Sequence, residues 1–200
     1  MLDCLSLNSL NSLNSLDVIM EDLLPRRGDY RNLLTYQKAT AIYDITFFFA
    51  HKFLAKNDRT VDQMIQAARS GKQNIVEGSA AAITSKETEI KLTNVAKASL
   101  KELLEDYEDY LRTRNMRQWE QDSIEMAKMR ELGRTHNDSA FYMQLISTRG
   151  DETIANIAIV LLKQLDYLLY KQLQRLSQEF IDNGGFKERM SQCRRNKRGY

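Results

Sequence analysis

Proline, cysteine and histidine are nearly absent from this 200-residue chain, which has one proline, eight glycines, two cysteines and two histidines. So few breakers among abundant Leu, Ala, Lys, Glu, Gln and Arg leave helices free to run on and argue against a sheet-rich fold. Cys4 and Cys193 lie near opposite ends without a Cys-x-x-Cys or Cys/His neighbour, so neither a disulfide framework nor a zinc site is implied. The scarcity of histidine also excludes a His-Glu-x-x-His zinc helix, and there is no phosphate-cradling glycine loop, dinucleotide fingerprint or nucleophile elbow. No apolar run is expected to reach the roughly 18 residues of a membrane span. The N-terminus lacks the basic start and apolar stretch of a secretory signal. The expectation is a cytoplasmic protein without membrane partner, cofactor, bound metal or catalytic residue.

What is present is an ordinary globular balance, 42% apolar and 28% charged, enough for one domain with a sizeable core. The formal charge of +2 hides an uneven distribution. Residues 187–200 carry six basic side chains, Lys187, Arg189, Arg194, Arg195, Lys197 and Arg198, against the single acid Glu188. At the other end, residues 6–16 read SLNSLNSLNSL, a triplet repeat too short and polar to pack as a core helix. Ordinary sequence follows Met20 at once, which suggests Met20 as the true start. The organisation expected is a disordered lead-in and N-terminal arm over 1–29, a helical bundle over 30–182 and a basic suffix over 183–200.

Helical periodicity places the elements. Leu33, Ala39, Ile42, Tyr43, Thr46, Phe49, Ala50 and Phe53 predict a helix over about 32–56. Thr60-Val-Asp-Gln63 reads as a capping box opening a second helix, which ends near Gly78 and whose Ala67, Ala68, Ser70 and Gly71 permit close approach of a neighbour. Thr84-Ser-Lys-Glu87 reads as another box, opening a third helix to about residue 113. Between 114 and 150 the pattern loosens into an insertion with a shorter helix and a polar loop over 133–139. The last long helix, over about 151–182, is the most apolar, and Gly184-Gly185 stops it. The fold class expected is an all-α, antiparallel up-down-up-down four-helix bundle with a helical insertion between its third and fourth long helices. Ile159, Val160, Leu162 and Tyr167 exceed what one buried face of the last helix requires, which predicts a second buried surface supplied by self-association.

Asn74-Ile-Val-Glu77-Gly78 resembles the Asn-Ile-x-Glu-Gly signature of the four-helix-bundle proteins encoded in 23S ribosomal RNA intervening sequences. Ala96-Lys-Ala-Ser99-Leu-Lys-Glu102-Leu103 is similar to the segment that follows there, Tyr36-Gln-Lys-Ala39 to the family's opening, and Gly184-Gly-Phe186 to the suffix of a longer subgroup. The resemblance spans roughly residues 33–111, with the last helix alike by pattern. It implies an antiparallel bundle assembled as a homo-oligomeric ring, commonly a pentamer. It also implies no enzymatic activity, and a relation to the accessory variability determinant of diversity-generating retroelements, a nucleic-acid-binding protein. Ile65 and Gln66 stand where members often carry arginines, and no proline occurs near Gly71. The expected basic surface therefore shifts to the tail or to Arg69 and Lys72.

Several groups of residues are candidates for function. The six tail cations, with Phe186 and Tyr200 available for stacking and Arg26, Arg27 and Arg31 as possible additions, suit salt-dependent phosphate contacts to RNA or DNA. Asn74, Glu77, Gly78, Ser99 and Glu102 are read as structural, with Asn74 and Glu77 bonding neighbouring helices or fixing a turn at Gly78. The acids Glu102, Glu105, Asp106, Glu108 and Asp109 are read as a solvated face rather than a metal site, since no Glu-x-x-His pair accompanies them. Arg130 and His136 fall within the Arg-x(4 to 6)-His spacing of HEPN-type ribonucleases, where histidine would act as acid or base and arginine against phosphate. Glu131 and Gly133 between them fit that motif poorly. The leading reading is a non-enzymatic, nucleic-acid-binding homo-oligomer, the alternatives a ribonuclease at Arg130/His136 and a scaffold that binds another protein.

Overall fold

The computed structural model describes residues 29–198. Among them every regular element is helical: after a 3-10 turn at Tyr30–Asn32 come α1 (Leu34–Phe53), α2 (Arg59–Ala81), α3 (Lys86–Thr113), α4 (Ile124–Thr135), α5 (Ser139–Ile146), α6 (Asp151–Asn183) and α7 (Phe186–Arg198). The triplet repeat, Met20, Arg26 and Arg27 lie outside the described residues, as do Cys4 and Tyr200.

The starts of α2 and α3 are set by side-chain caps two residues earlier and one residue later than the capping-box patterns indicate. Asp58, not Thr60, caps α2, its carboxylate accepting the Thr60 N–H at 2.9 Å. An anionic cap both satisfies a free donor and complements the positive helix end, so it outcompetes the nearby hydroxyl. Ser85, not Thr84, caps α3 by accepting the Thr88 N–H at 3.1 Å. Thr84 is already engaged, its N–H closing the last turn of α2 on the Ala81 carbonyl at 3.0 Å.

α2 also runs past Gly78 rather than ending there. Gly78 is buried inside the helix, and a Cβ on it would sit 3.4 Å from Leu92 Cβ and 3.5 Å from the Glu89 carbonyl. Gly71 is tighter still, with a Cβ there falling 2.5 Å from Leu100 Cγ. These two glycines set how closely α2 lies along α3, as the run of small residues implied.

The cross-helix contacts fix the relative directions. Ser70 faces Ser99 at 3.0 Å while Gly78 faces Leu92, so α2 and α3 are antiparallel. Lys163 pairs with Glu108 at 2.8 Å, Lys97 with Asp166 at 2.8 Å and Lys86 with Glu179 at 2.9 Å, so α3 and α6 are antiparallel too. Thr35 donates to Gln172 at 3.1 Å and Lys38 approaches Gln164, giving the same relation between α1 and α6. α1 further packs against α2. The interior they share contains Ile42, Phe49, Met64, Leu103 and Leu161, all fully buried, and Tyr107, whose hydroxyl donates to Thr46 at 3.1 Å.

The insertion is part of this interior. α4 lies on α6 and α5 on α1; Met126 and Met129 of α4 and Tyr142 and Ile146 of α5 are buried. The polar loop expected over 133–139 shrinks to residues 136–138, because Gly133 stays helical and Asp138 caps α5 through the N–H groups of Ala140 and Phe141. The return to α6 is fastened by buried Asn156, which accepts the Trp119 N–H at 2.7 Å and donates to the Arg117 carbonyl at 2.9 Å.

Packed by α1, α3 and α4 together, α6 buries Ile159, Val160 and Leu162 within the chain. For these three residues the second buried surface predicted from self-association is instead supplied within the chain, in part by the insertion. Of that quartet only Tyr167 stays exposed. α6 with its continuation into α7 is also long and apolar enough, by length and composition, to cross a membrane, contrary to the expectation that no run would be. Within that apolar window 61% of residues are buried inside the chain, as a core helix would have them.

Candidate nucleic-acid interface

α6 ends at Gly184, whose φ of 64° is open to glycine and strained for other residues, and whose N–H closes on the Phe180 carbonyl at 2.9 Å. Gly185 is buried; a Cβ there would meet Glu87, Glu188 and Phe180, all at 3.2 Å. Its N–H donates to Glu188 Oε2 at 2.9 Å, so the only acid of α7 is engaged at the start of the helix. The suffix is thus an ordered helix that follows a two-glycine turn.

Position along α7 sorts its cations. Phe186, Arg189, Met190 and Cys193 recur at helical spacing and are half-buried, which turns that stripe toward the body. The Arg189 Nε is enclosed there without an acceptor among the described residues. Lys187, Arg194, Arg195, Lys197 and Arg198 are exposed, and none forms an ion pair among the described residues. Lys187, Arg194 and Arg198 stand at i, i+7 and i+11, a single stripe running about 16 Å along the helix, with Arg195 on its flank. Side chains of this kind, unpaired and on one face, suit a row of phosphates.

Arg69 and Lys72 belong to α2. Arg69 is exposed; Lys72 is half-buried with its Nζ 4.1 Å from the centre of the Tyr43 ring, a cation–π contact that occupies it. Arg31 is held by Asp29 at 3.2 Å.

The signature residues divide. Asn74 donates to the Ser70 carbonyl at 2.8 Å and to Ser70 Oγ at 3.2 Å, and Ser70 in turn meets Ser99, a polar clasp across α2 and α3. Glu77 is exposed and makes none of the interhelical bonds expected of it among the described residues, and Gly78, being inside the helix, has no turn for it to fix. Glu102 lines a shallow polar groove with Asp62, Ser70, Ser99 and Asp106. Burial, with Asp109 and Glu102 nearby, raises the Asp106 pKa. Glu108 and Asp109 pair with Lys163 and Arg112.

Arg130 and His136 are directed to different partners. Arg130 is exposed and donates to the Gln121 carbonyl at 3.1 Å. The His136 ring stacks on Phe141 with centroids 3.9 Å apart, and its Nδ1 lies 2.9 Å from Thr135 Oγ1. Gly133, expected to break the helix between them, lies within α4, and its lack of a side chain makes room for Gln164: a Cβ there would fall 2.1 Å from Gln164 Oε1.

One polar centre is built around Lys38, a residue of α1 for which the sequence predicts no function. Lys38, 2% exposed, donates to the Gly133 carbonyl at 2.6 Å and reaches Gln164 Oε1 at 3.4 Å. Gln164 donates from its other end to the Arg130 carbonyl at 2.8 Å. Lys38 therefore caps the last turn of α4, where carbonyls have no helical partner. Burial pushes its pKa down from 10.5 to about 8. Its signal was present in the sequence, since Thr35, Lys38, Ala39, Ile42 and Thr46 share the buried stripe of α1, and a lysine on a core stripe is rarely incidental. It borders a cavity of about 500 Å³ between α1, α4 and α6.

Set against models of known protein families, curated proteins and solved structures, the chain matches none of them.

Proposed function

We propose that this protein is a non-enzymatic homo-oligomer that binds RNA or DNA through α7. In this reading α1, α2, α3 and α6 form an up-down-up-down four-helix bundle, akin to the 23S rRNA intervening-sequence proteins. The observation that carries the reading is the exposed cationic stripe of Lys187, Arg194 and Arg198 flanked by Arg195, on a helix whose one acid is engaged with the Gly185 N–H. Cations held on one face without ion pairs among the described residues, Arg194 meeting only the Met190 sulfur at 4.0 Å, can neutralise phosphates and release counterions without first breaking such pairs.

Self-association is supported by the far half of α6. Eight large apolar side chains remain exposed among the described residues, and three of them, Tyr167, Tyr170 and Ile181, share one stripe about 21 Å long. A ring, pentameric as in the family it resembles, would present several copies of α7 and multiply a weak contact by avidity.

The test is fluorescence anisotropy of a mixed oligonucleotide pool across a salt series, using the full chain and a full-length Arg194→Glu/Arg195→Glu/Arg198→Glu variant. The full chain is expected to bind with log affinity falling linearly in log salt, and the variant to lose most of that binding. Salt-independent binding, no binding, or an unaffected variant would sink the proposal and favour a scaffold that holds another protein.

A further inference from the structure

The cavity between α1, α4 and α6 is lined by four cations, Lys38, Arg130, Arg134 and Lys163, and by no acid. Two of them are paired outside it, Lys163 with Glu108 and Arg134 with Glu131. The other two meet only neutral oxygens: Arg130 donates to the Gln121 carbonyl, and Lys38 to the Gly133 carbonyl and the Gln164 amide. The rest of the wall is largely apolar, with Leu34, Met126, Val160 and Leu168, and Tyr167 is exposed. At about 500 Å³ the space falls within the size range of small-molecule sites.

Capping α4 does not by itself call for a lysine. A glutamine amide could donate to the Gly133 carbonyl without taking a charge out of water, whereas a buried ammonium without a counter-ion is costly. What lysine alone brings is a full positive charge, with three donors of which protein oxygens take two. Beside apolar walls, that charge suits a ligand with one anionic group and a hydrocarbon body. A doubly charged phosphate would require more buried donors than this wall offers.

We propose that this cavity binds a small amphipathic carboxylate, its hydrocarbon part against Met126, Val160 and Leu168 and its carboxylate accepting from Lys38, with Arg130 adding charge. The site is separate from the α7 stripe and does not depend on nucleic-acid binding.

The experiment compares decanoate with decanol, the same chain without the charge, by isothermal titration against the full-length protein at neutral pH. Decanoate is expected to bind with equimolar stoichiometry and decanol about tenfold or more weakly. Lys38→Met should remove that preference by weakening decanoate alone, and Arg130→Gln, at an exposed position, should narrow it severalfold even if Lys38→Met does not fold. The α7 triple variant should bind decanoate as the wild type does. Failure of decanoate to bind the wild type, equal binding of the two probes, or a preference unchanged in whichever of the two cavity variants folds would overturn the proposal.

Discussion

Positive charge in this molecule occurs in two opposite settings. On α7 the exposed cations point into solvent from a helix that touches the body along one half-buried stripe. At Lys38 a single amine is enclosed by α1, α4 and α6. Exposed charge adds almost nothing to folding and is free to act on a partner, while buried charge is coupled to folding and changes its proton affinity. The contrast teaches which measurement should respond to each: binding and salt dependence for α7, stability and pH dependence for Lys38.

The largest effect should come from breaking the α7 side of the contrast. Three Arg→Glu changes replace attraction to phosphate with repulsion, and the affinity for oligonucleotides at low salt should fall about a thousandfold, about 4 kcal/mol. Chemical denaturation of the same variant should shift by no more than about 0.5 kcal/mol, because Arg194, Arg195 and Arg198 have no ion pair to lose among the described residues. A large loss of stability would mean that the stripe is structural.

The Lys38 side is sharpened by pH. Its pKa is about 8 in the folded chain and 10.5 ordinarily. Below about 8 both states hold the proton and the cost of burying it is fully present. Between about 8 and 10.5 the unfolded chain binds more protons than the folded one, so stability contributed by this group rises with pH. Urea unfolding of the wild type should therefore gain on Lys38→Met across that window, by up to about 3 kcal/mol. The difference between the two proteins isolates the lysine from Tyr110 and Tyr142. Burial raises the pKa of both tyrosines to about 12, so their contribution is lost as pH climbs from 10 toward 12 in either protein. A gap independent of pH would place the Lys38 amine in water.

Much of the fold was legible in the sequence because helical periodicity is a local property. Residues such as Ile42, Phe49, Leu103 and Leu161 declare their buried faces through spacing alone. Caps were readable to within two residues, since choosing Asp58 over Thr60 depends on a competition between adjacent groups. Glycine misled at Gly78 and Gly133, where it read as a stop. Both lie inside helices, Gly133 where Gln164 leaves no room for a side chain and Gly78 in ordinary contact range of Leu92, and nothing local in the sequence tells such a packing glycine from a helix stop. For the same reason α5 was missed and Ile159, Val160 and Leu162 were assigned to another copy of the chain. The cationic stripe was legible as composition, but its phase on an ordered helix was not, and Lys38 was visible only as an anomaly on an apolar stripe.

The smallest effect tests the junction that keeps the two settings apart. Gly184 sits at φ 64°, and a Cβ there would lie 3.0 Å from both Cβ and Cγ of Glu188. Gly184→Ala should cost about 2 kcal/mol, because φ 64° with ψ −173° is a backbone region all but confined to glycine, and somewhat more if Glu188 cannot swing aside. If Glu188 does swing aside, its bond to the Gly185 N–H is lost, α7 loses its engaged acid, and the freed carboxylate stands on the cationic helix. Hydrogen exchange should then quicken in α7 while the amides of α1, α3 and α6 keep their protection. Oligonucleotide affinity should fall only severalfold, because the arginines remain. The Lys38 titration should not move, since α7 contributes nothing to its surroundings. A shift in both regions together would show that α7 and the cavity are one cooperative unit, and the separation of exposed from buried charge would lose its structural basis.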